Sequence, residues 1–116
     1  MNSTLRIVTL GSMVIAVGAS LGWGADSAAG AKTYAVKCAS CHAKDGTGNP
    51  AMAKVFKVDL DKFSVVSDSA TAKSDADLIK VTSEGAGKMP AYKGKLTDAE
   101  IADVVAYIRT LAPAKK

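Results

Sequence analysis

The feature that most constrains the fold of this chain is a group of two cysteines and one histidine within five residues. Cys38 and Cys41 are the only cysteines among the 116 residues, and the only histidine, His42, follows the second cysteine directly. All the thiol and imidazole chemistry of the chain therefore lies in one short segment, and the fold must be built around it.

Several kinds of site use two cysteines with this spacing. A lone cysteine pair in an exported chain can form a disulfide, whereas a thioredoxin-type centre requires a βαβ setting that the surrounding sequence lacks. A zinc site would have only three ligands here. Covalent haem attachment uses all three residues, because two thiols one helical turn apart add to the vinyl groups while the imidazole binds the iron. The segment therefore predicts one haem c, held by Cys38 and Cys41, with His42 as the proximal iron ligand.

A second axial ligand is expected from a methionine, which commonly lies opposite histidine in electron-transfer haems. Met89 lies in a glycine-rich segment, residues 84–92, and is followed by Pro90, which fixes the direction of the chain. Met52 comes only ten residues after His42, a short distance in which to reach the far face of a haem. Either methionine could instead fill a core. We predict Met89 as the distal ligand and Met52 as a core residue.

The first residues of the chain are typical of a secretion signal. Arg6 is followed by an uncharged apolar stretch, residues 7–22, and then by small residues at about 24–29. The alternative is an uncleaved anchor, but this stretch is shorter than the roughly 20 residues that a membrane span needs. We predict a signal peptide over residues 1–25, with cleavage at about 24–29, export to the periplasm, and one domain over residues 26–116.

Length and charge exclude several functional classes. A chain of 116 residues is too short to be a multidomain enzyme. The chain has 15 basic and 11 acidic residues, a net charge of +4, and the lysines are spread along it rather than gathered into the basic stripe typical of nucleic-acid binding. A mildly basic surface suits an acidic partner, although ordinary solubilising charges explain it equally well.

The pattern of apolar residues predicts helices and loops without a convincing strand, and hence an all-α fold. A capping box of Thr97 and Glu100 starts the clearest helix, which Pro113 ends. Ser74 precedes another helix, stopped by Gly85. The remaining predicted segments are a helix over residues 30–41, a loop over 43–57, one helical turn within 55–63 and a surface loop over 65–75.

From about Gly30 to Leu111 the sequence resembles the class I cytochromes c, specifically the small bacterial carriers. The resemblance rests on the cysteine–histidine segment, on Met89–Pro90 47 residues after His42, on the two terminal helices and on Pro50 after a glycine turn. It implies a small all-α cytochrome c-type fold, with three to four helices around one covalent haem. It also implies that the terminal helices cross closely at Gly30, and that the carbonyl of Pro50 accepts a hydrogen bond from His42.

The function implied by this resemblance is single-electron transfer between periplasmic or membrane-bound redox partners, without enzymatic activity. Membrane contact would come only through such partners or through an uncleaved leader. The alternatives are an electron-entry haem subunit of a larger oxidase or dehydrogenase, and a gas-binding haem protein with a labile sixth position. In the family, partners dock at the exposed haem edge, and the loops expected there carry six lysines: Lys44, Lys54, Lys57, Lys88, Lys93 and Lys95.

Overall fold

The structure, a computed structural model, describes residues 24–113, so the predicted signal peptide lies almost entirely outside the described residues. Within them the chain is helical and contains no strand, only two isolated β-bridges. The elements are α1 (Ser27–Lys37), α2 (Ala39–His42), α3 (Pro50–Phe56), the 3-10 helix η1 (Leu60–Phe63), α4 (Asp68–Thr71), α5 (Asp75–Glu84) and α6 (Asp98–Leu111).

The predicted all-α class is confirmed. Four of the described α-helices, namely α1, α3, α5 and α6, have between 7 and 14 residues. The other helical segments, α2, η1 and α4, are single turns of four residues. The expectation of three to four helices therefore matches the longer elements, and the short turns are additional.

The core of the fold lies where α1 crosses α6. Gly30 is buried at this crossing, and a Cβ atom placed on it would overlap the backbone carbonyl of Asp103. Tyr34 of α1 and Val104 of α6 are almost completely buried beside it. The close helix crossing predicted at Gly30 is therefore confirmed, because no larger residue fits between the two backbones.

Helix α6 begins as its sequence predicts. The Thr97 hydroxyl accepts a hydrogen bond from the backbone N–H of Glu100, and the Glu100 carboxylate accepts one from the N–H of Thr97. This reciprocal cap satisfies two of the N–H groups that a helix start leaves without a partner. The buried face of the helix is an apolar stripe at helical spacing: Ile101, Val104, Val105 and Ile108.

Helix α5 is also confirmed and is tied to α6. Ser74 caps its first turn, and Gly85 follows its last residue with a φ of +78°, a conformation that favours glycine. The Arg109 side chain on α6 forms an ion pair with Asp75 at 2.8 Å and donates a second hydrogen bond to the carbonyl of Lys73. These contacts fix the start of α5 against the end of α6.

Two predicted loops are wrong in part. Within residues 43–57, α3 forms because the Asn49 side chain accepts from the N–H of Ala51, and because Pro50 has a φ suited to a first helical position. Within residues 65–75, α4 forms behind Ser67, and its Thr71 is buried rather than on the surface.

Among residues 24–113 no helix combines the length and the apolar character that crossing a membrane requires.

Candidate haem site

A cleft of about 570 Å³ opens between α1, η1, α5 and the loop that follows α5. Cofactor sites typically occupy roughly 300–1,000 Å³ and have mostly apolar walls with a few polar groups. The walls here include the apolar side chains of Phe56, Val58, Phe63 and Val81. All four predicted ligand residues line this cleft: Cys38, Cys41, His42 and Met89.

The two thiols lie at the junction of α1 and α2. Backbone hydrogen bonds from Cys38 to the carbonyl of Tyr34, and from His42 to the carbonyl of Cys38, continue helical geometry through this junction and hold the thiols one turn apart. Both cysteines are free. Burial, with a smaller contribution from the nearby Cys41, raises the pKa of Cys38 to about 11. Before any attachment, the Cys38 thiol is therefore held in its protonated form.

The imidazole of His42 is oriented by a backbone carbonyl. Its Nδ1 atom lies 2.7 Å from the carbonyl oxygen of Phe63. A carbonyl can only accept a hydrogen bond, so Nδ1 carries the proton and Nε2 keeps its lone pair for a metal. The buried ring of Phe63 also stands edge-on to the imidazole, with the ring centroids 6.4 Å apart.

The role predicted for Pro50 is wrong. The carbonyl that accepts from His42 belongs to Phe63 at the end of η1, whereas Pro50 is the first residue of α3 and is exposed. The proline ring suits the first position of a helix. The chain continues through α3 before it reaches Phe63, whose carbonyl contacts the histidine. A backbone acceptor has no sequence signature, so only the tertiary structure could identify it.

Met89 is presented by a tight loop after α5. Ala86 and Met89 exchange two backbone hydrogen bonds of 2.9 and 3.1 Å, which close the turn. Gly85 allows the turn, since a Cβ atom there would lie 2.7 Å from the carbonyl oxygen of Met89. The Tyr92 hydroxyl donates to the carbonyl of Lys37 at 2.9 Å and ties the loop to the end of α1.

The cleft separates the two candidate methionines. Met89 lines both the main cleft and a second, smaller cavity of about 150 Å³, which also touches Cys38 and His42. Met52 lies on α3, is half-buried and lines neither space. This placement agrees with Met89 as the ligand candidate.

The donor set in the cleft fits a haem better than a bare metal ion. Within the described residues no group of three or more His, Cys, Asp or Glu side chains is placed to hold a metal ion. One imidazole, one thioether and a pair of thiols, set in apolar walls, instead match the two axial ligands and two covalent links of a haem c.

Comparison with known proteins agrees with this geometry. The profile of the family described as "Cytochrome C oxidase, cbb3-type, subunit III" matches residues 25–108. Cytochrome c6 of a Picosynechococcus strain is 42% identical over 95 residues, which cover 79% of this chain and 79% of the relative. The chain is a class I cytochrome c. Cytochrome c6 of Synechococcus elongatus is 41% identical over 86 residues, which cover 72% of the present cytochrome and 88% of the relative.

A solved structure supports the same assignment. Cytochrome c6 from the diatom Phaeodactylum tricornutum has a TM-score of 0.57 and 29% sequence identity, covering 77% of this chain and 94% of that one. The cytochrome therefore has the small all-α cytochrome c fold, binds one covalent haem c and serves as a carrier of single electrons.

Proposed function

We propose that Cys38 and Cys41 form the two thioether links to the haem, that His42 is the proximal iron ligand and that Met89 is the distal one. The observation that carries this assignment is the single cleft that all four side chains line, and that Met52 does not reach. The bound haem supplies a one-electron couple, and the protein residues bind it, orient its ligands and exclude water.

The residues around the ligands influence the reduction potential of the haem. The Phe63 carbonyl fixes the tautomer of His42 and makes its Nε2 a stronger donor to iron. A methionine thioether and apolar walls act in the opposite direction, since they favour the ferrous state and a higher reduction potential. The potential of this cytochrome is therefore set by a balance between the Phe63 contact and the Met89 side of the cleft.

Optical spectra of two matched variants test the ligand assignment. Met89→Ala should lose the weak sulfur-to-iron absorption band of the oxidised protein and lower the reduction potential, because a sulfur ligand is removed. Met52→Ala is the control and should keep both. Loss of the band in Met52→Ala and its retention in Met89→Ala would reverse the assignment.

Carbon monoxide separates a carrier from a gas-binding protein. With the sixth position filled by Met89, the reduced wild-type protein should keep its spectrum under carbon monoxide, whereas reduced Met89→Ala should shift. A wild-type spectrum that shifts at once would favour the gas-binding alternative.

We also propose that the cytochrome is a free periplasmic carrier rather than a haem subunit of a larger complex. Residues 1–25 would serve as the signal peptide and would be removed at about 24–29. The mass of the exported protein gives the cleavage point, and size-exclusion chromatography of the native periplasmic fraction should give the mass of one small domain. Elution with a larger oxidase or dehydrogenase would favour the subunit.

Lysines at the mouth of the cleft would guide an acidic partner. Of the six lysines expected there, Lys88 lines the cleft, and Lys37 and Lys62 line it as well. All three are exposed. Charges placed in this way speed encounter with an oppositely charged surface and are screened by salt, over a Debye length of roughly 8 Å at physiological ionic strength.

A charge reversal at Lys88 tests this docking surface. Lys88→Glu should slow bimolecular electron transfer to an acidic acceptor at low ionic strength, and added salt should remove the difference. Lys80→Glu is the matched control, because Lys80 is an exposed residue of α5 that does not line the cleft. Equal rates for the two variants would place docking elsewhere.

A further inference from the structure

A strained backbone turn lies directly after His42. Ala43 has a φ of +64° and a ψ of 160°, a combination that is essentially restricted to glycine. Another residue persists in this conformation only where its surroundings hold it there, and such residues cluster at functional sites. The contacts that hold Ala43 therefore also fix the end of α2, which carries the histidine.

The side chain of Tyr34 supplies the shortest of these contacts. Its hydroxyl donates a hydrogen bond of 2.6 Å to the carbonyl oxygen of Ala43, whereas bonds between two oxygens are commonly roughly 2.7–2.8 Å long. The N–H of Gly46 donates to the same carbonyl at 3.1 Å. Tyr34 is 2% exposed and packs in the main core with Val104 and Ile108. Its ring is therefore a fixed point against which the turn is held.

The conformation at Ala43 depends on this contact more than its neighbours depend on theirs. Two positions later in the same loop also have a positive φ, and both are glycines: Gly46 at +81° and Gly48 at +98°. Glycine adopts such angles without a steric cost, because it has no Cβ atom. Alanine has no such preference, so the turn at Ala43 must be stabilised from outside, and the Tyr34 hydroxyl is placed to do so.

The turn at Ala43 leads through backbone hydrogen bonds to the group that orients His42. The carbonyl of Gly46 accepts a hydrogen bond of 2.7 Å from the N–H of Val65. Val65 comes two residues after Phe63, whose carbonyl oxygen lies 2.7 Å from Nδ1 of His42. A change in the turn would therefore move both the backbone next to the histidine and the acceptor of its ring proton.

We propose that Tyr34 is a positioning residue for the proximal iron ligand: its hydroxyl holds the strained turn at Ala43 and thereby keeps the Phe63 carbonyl against Nδ1 of His42. This inference rests on the proposed ligation of the iron by His42 and deepens it. The Phe63 contact makes the imidazole a stronger donor to iron. The Tyr34 hydroxyl consequently lowers the reduction potential without touching the cofactor's iron.

Spectroelectrochemical titration of the exported holoprotein tests the proposal. Tyr34→Phe keeps the buried ring and removes the hydroxyl, so the turn can relax and the reduction potential should rise. Ala43→Gly should keep the wild-type potential, because glycine adopts this conformation without strain. The double variant should return to near the wild-type potential, because a turn that contains glycine no longer needs the hydroxyl.

A matched control and a second measurement distinguish positioning from packing. Tyr107→Phe removes the hydroxyl of the neighbouring ring, whose centroid lies 5.2 Å from that of Tyr34, and should leave the potential unchanged. Proton nuclear magnetic resonance of the oxidised protein records the hyperfine-shifted signals of the His42 ring, which depend on the orientation of the ring. These signals should move in Tyr34→Phe and return when Ala43→Gly is added.

The outcomes separate this inference from the haem assignment itself. A wild-type protein without a spectrum of histidine–methionine ligation would overturn the proposed ligands, and this inference with them. With that spectrum present, a potential of Tyr34→Phe no higher than that of Tyr107→Phe would overturn the positioning role alone, and so would a raised potential that Ala43→Gly does not restore. If Tyr34→Phe carries no haem, adding Ala43→Gly must restore loading, and a failure to restore it would also overturn the proposal.

Discussion

Replacing Gly30 by alanine should destabilise the folded cytochrome by about 2 kcal/mol or more. The added Cβ atom would overlap the carbonyl group of Asp103 and would lie 2.9 Å from the backbone nitrogen of Val104, against 3.4 Å or more for an ordinary contact. The obstructing atoms belong to the backbone of α6, so no change of rotamer can relieve the overlap. The two helices must separate instead.

The size of the effect follows from two opposing contributions. Overpacking of a close-packed interior typically costs about 1–3 kcal/mol, and a clash against backbone belongs at the upper end of that range. Alanine is also a better helix former than glycine by about 1 kcal/mol, which offsets part of the loss. Separation of α1 from α6 loosens the packing of Tyr34 and Ile101, both almost completely buried, so the net change stays clearly destabilising.

Guanidinium unfolding of the oxidised holoprotein, followed by far-ultraviolet circular dichroism, measures this change. In thermal unfolding, a loss of about 2 kcal/mol corresponds to a fall in Tm of roughly 8–16 °C for a domain of this size. Val36→Ala is the matched control on the same helix, because Val36 is 77% exposed and surface substitutions usually change stability by less than about 0.5 kcal/mol. A Gly30→Ala variant as stable as this control would refute the close-packing argument.

Three further predictions concern the segment around the haem motif. Gly48→Ala should destabilise the protein by about 1–3 kcal/mol, since Gly48 has a φ of +98° that alanine adopts only under strain. It should also raise the reduction potential, because the new Cβ atom would lie 3.2 Å from the Cβ of Phe63, whose carbonyl holds His42. An unchanged potential would contradict this. Replacing both thiols by alanine should leave an exported chain without covalent haem and largely unfolded, because a domain of this size is marginal alone; circular dichroism with full helix content would contradict that. The Thr47 hydroxyl holds the pKa of the exposed Asp45 below its usual range, so the Asp45 carboxylate stabilises the fold above its unfolded pKa and loses that effect as the pH falls through its folded pKa. Thr47→Val should raise that pKa in a nuclear magnetic resonance titration, and the stability of the variant should converge on that of the wild type at low pH.

The parts of the fold that the sequence predicts well are those with local signals. The capping box at Thr97 and the acid-rich start of α5 after Ser74 each depend on residues within one helical turn, and the structure has both. The close contact at Gly30 is predictable for a different reason. In the family that the sequence resembles, the two terminal helices cross closely, and a small residue is needed where they meet.

The missed elements show where local signals are ambiguous. Asn49 followed by Pro50 is compatible with a turn and equally with a helix start, in which the asparagine caps and the proline takes the first position. The glycines before them favoured the turn. A stricter test for N-caps would have found α3, and also α4, whose first turn is capped by the Ser67 hydroxyl through the N–H of Ala70.

The position of Cys38 links haem attachment to folding of the helix pair. Cys38 belongs to the same buried cluster as Tyr34, Val104 and Ile108, at the crossing of α1 and α6. A covalent link at this residue therefore joins the cofactor directly to the main core rather than to a peripheral loop. The Met89 side lacks such a link, since its loop is held mainly by backbone hydrogen bonds and by the Tyr92 hydroxyl. On the proposed ligand assignment, partial unfolding at moderate denaturant should release Met89 from the iron first and leave the His42 side bound to the intact helix pair.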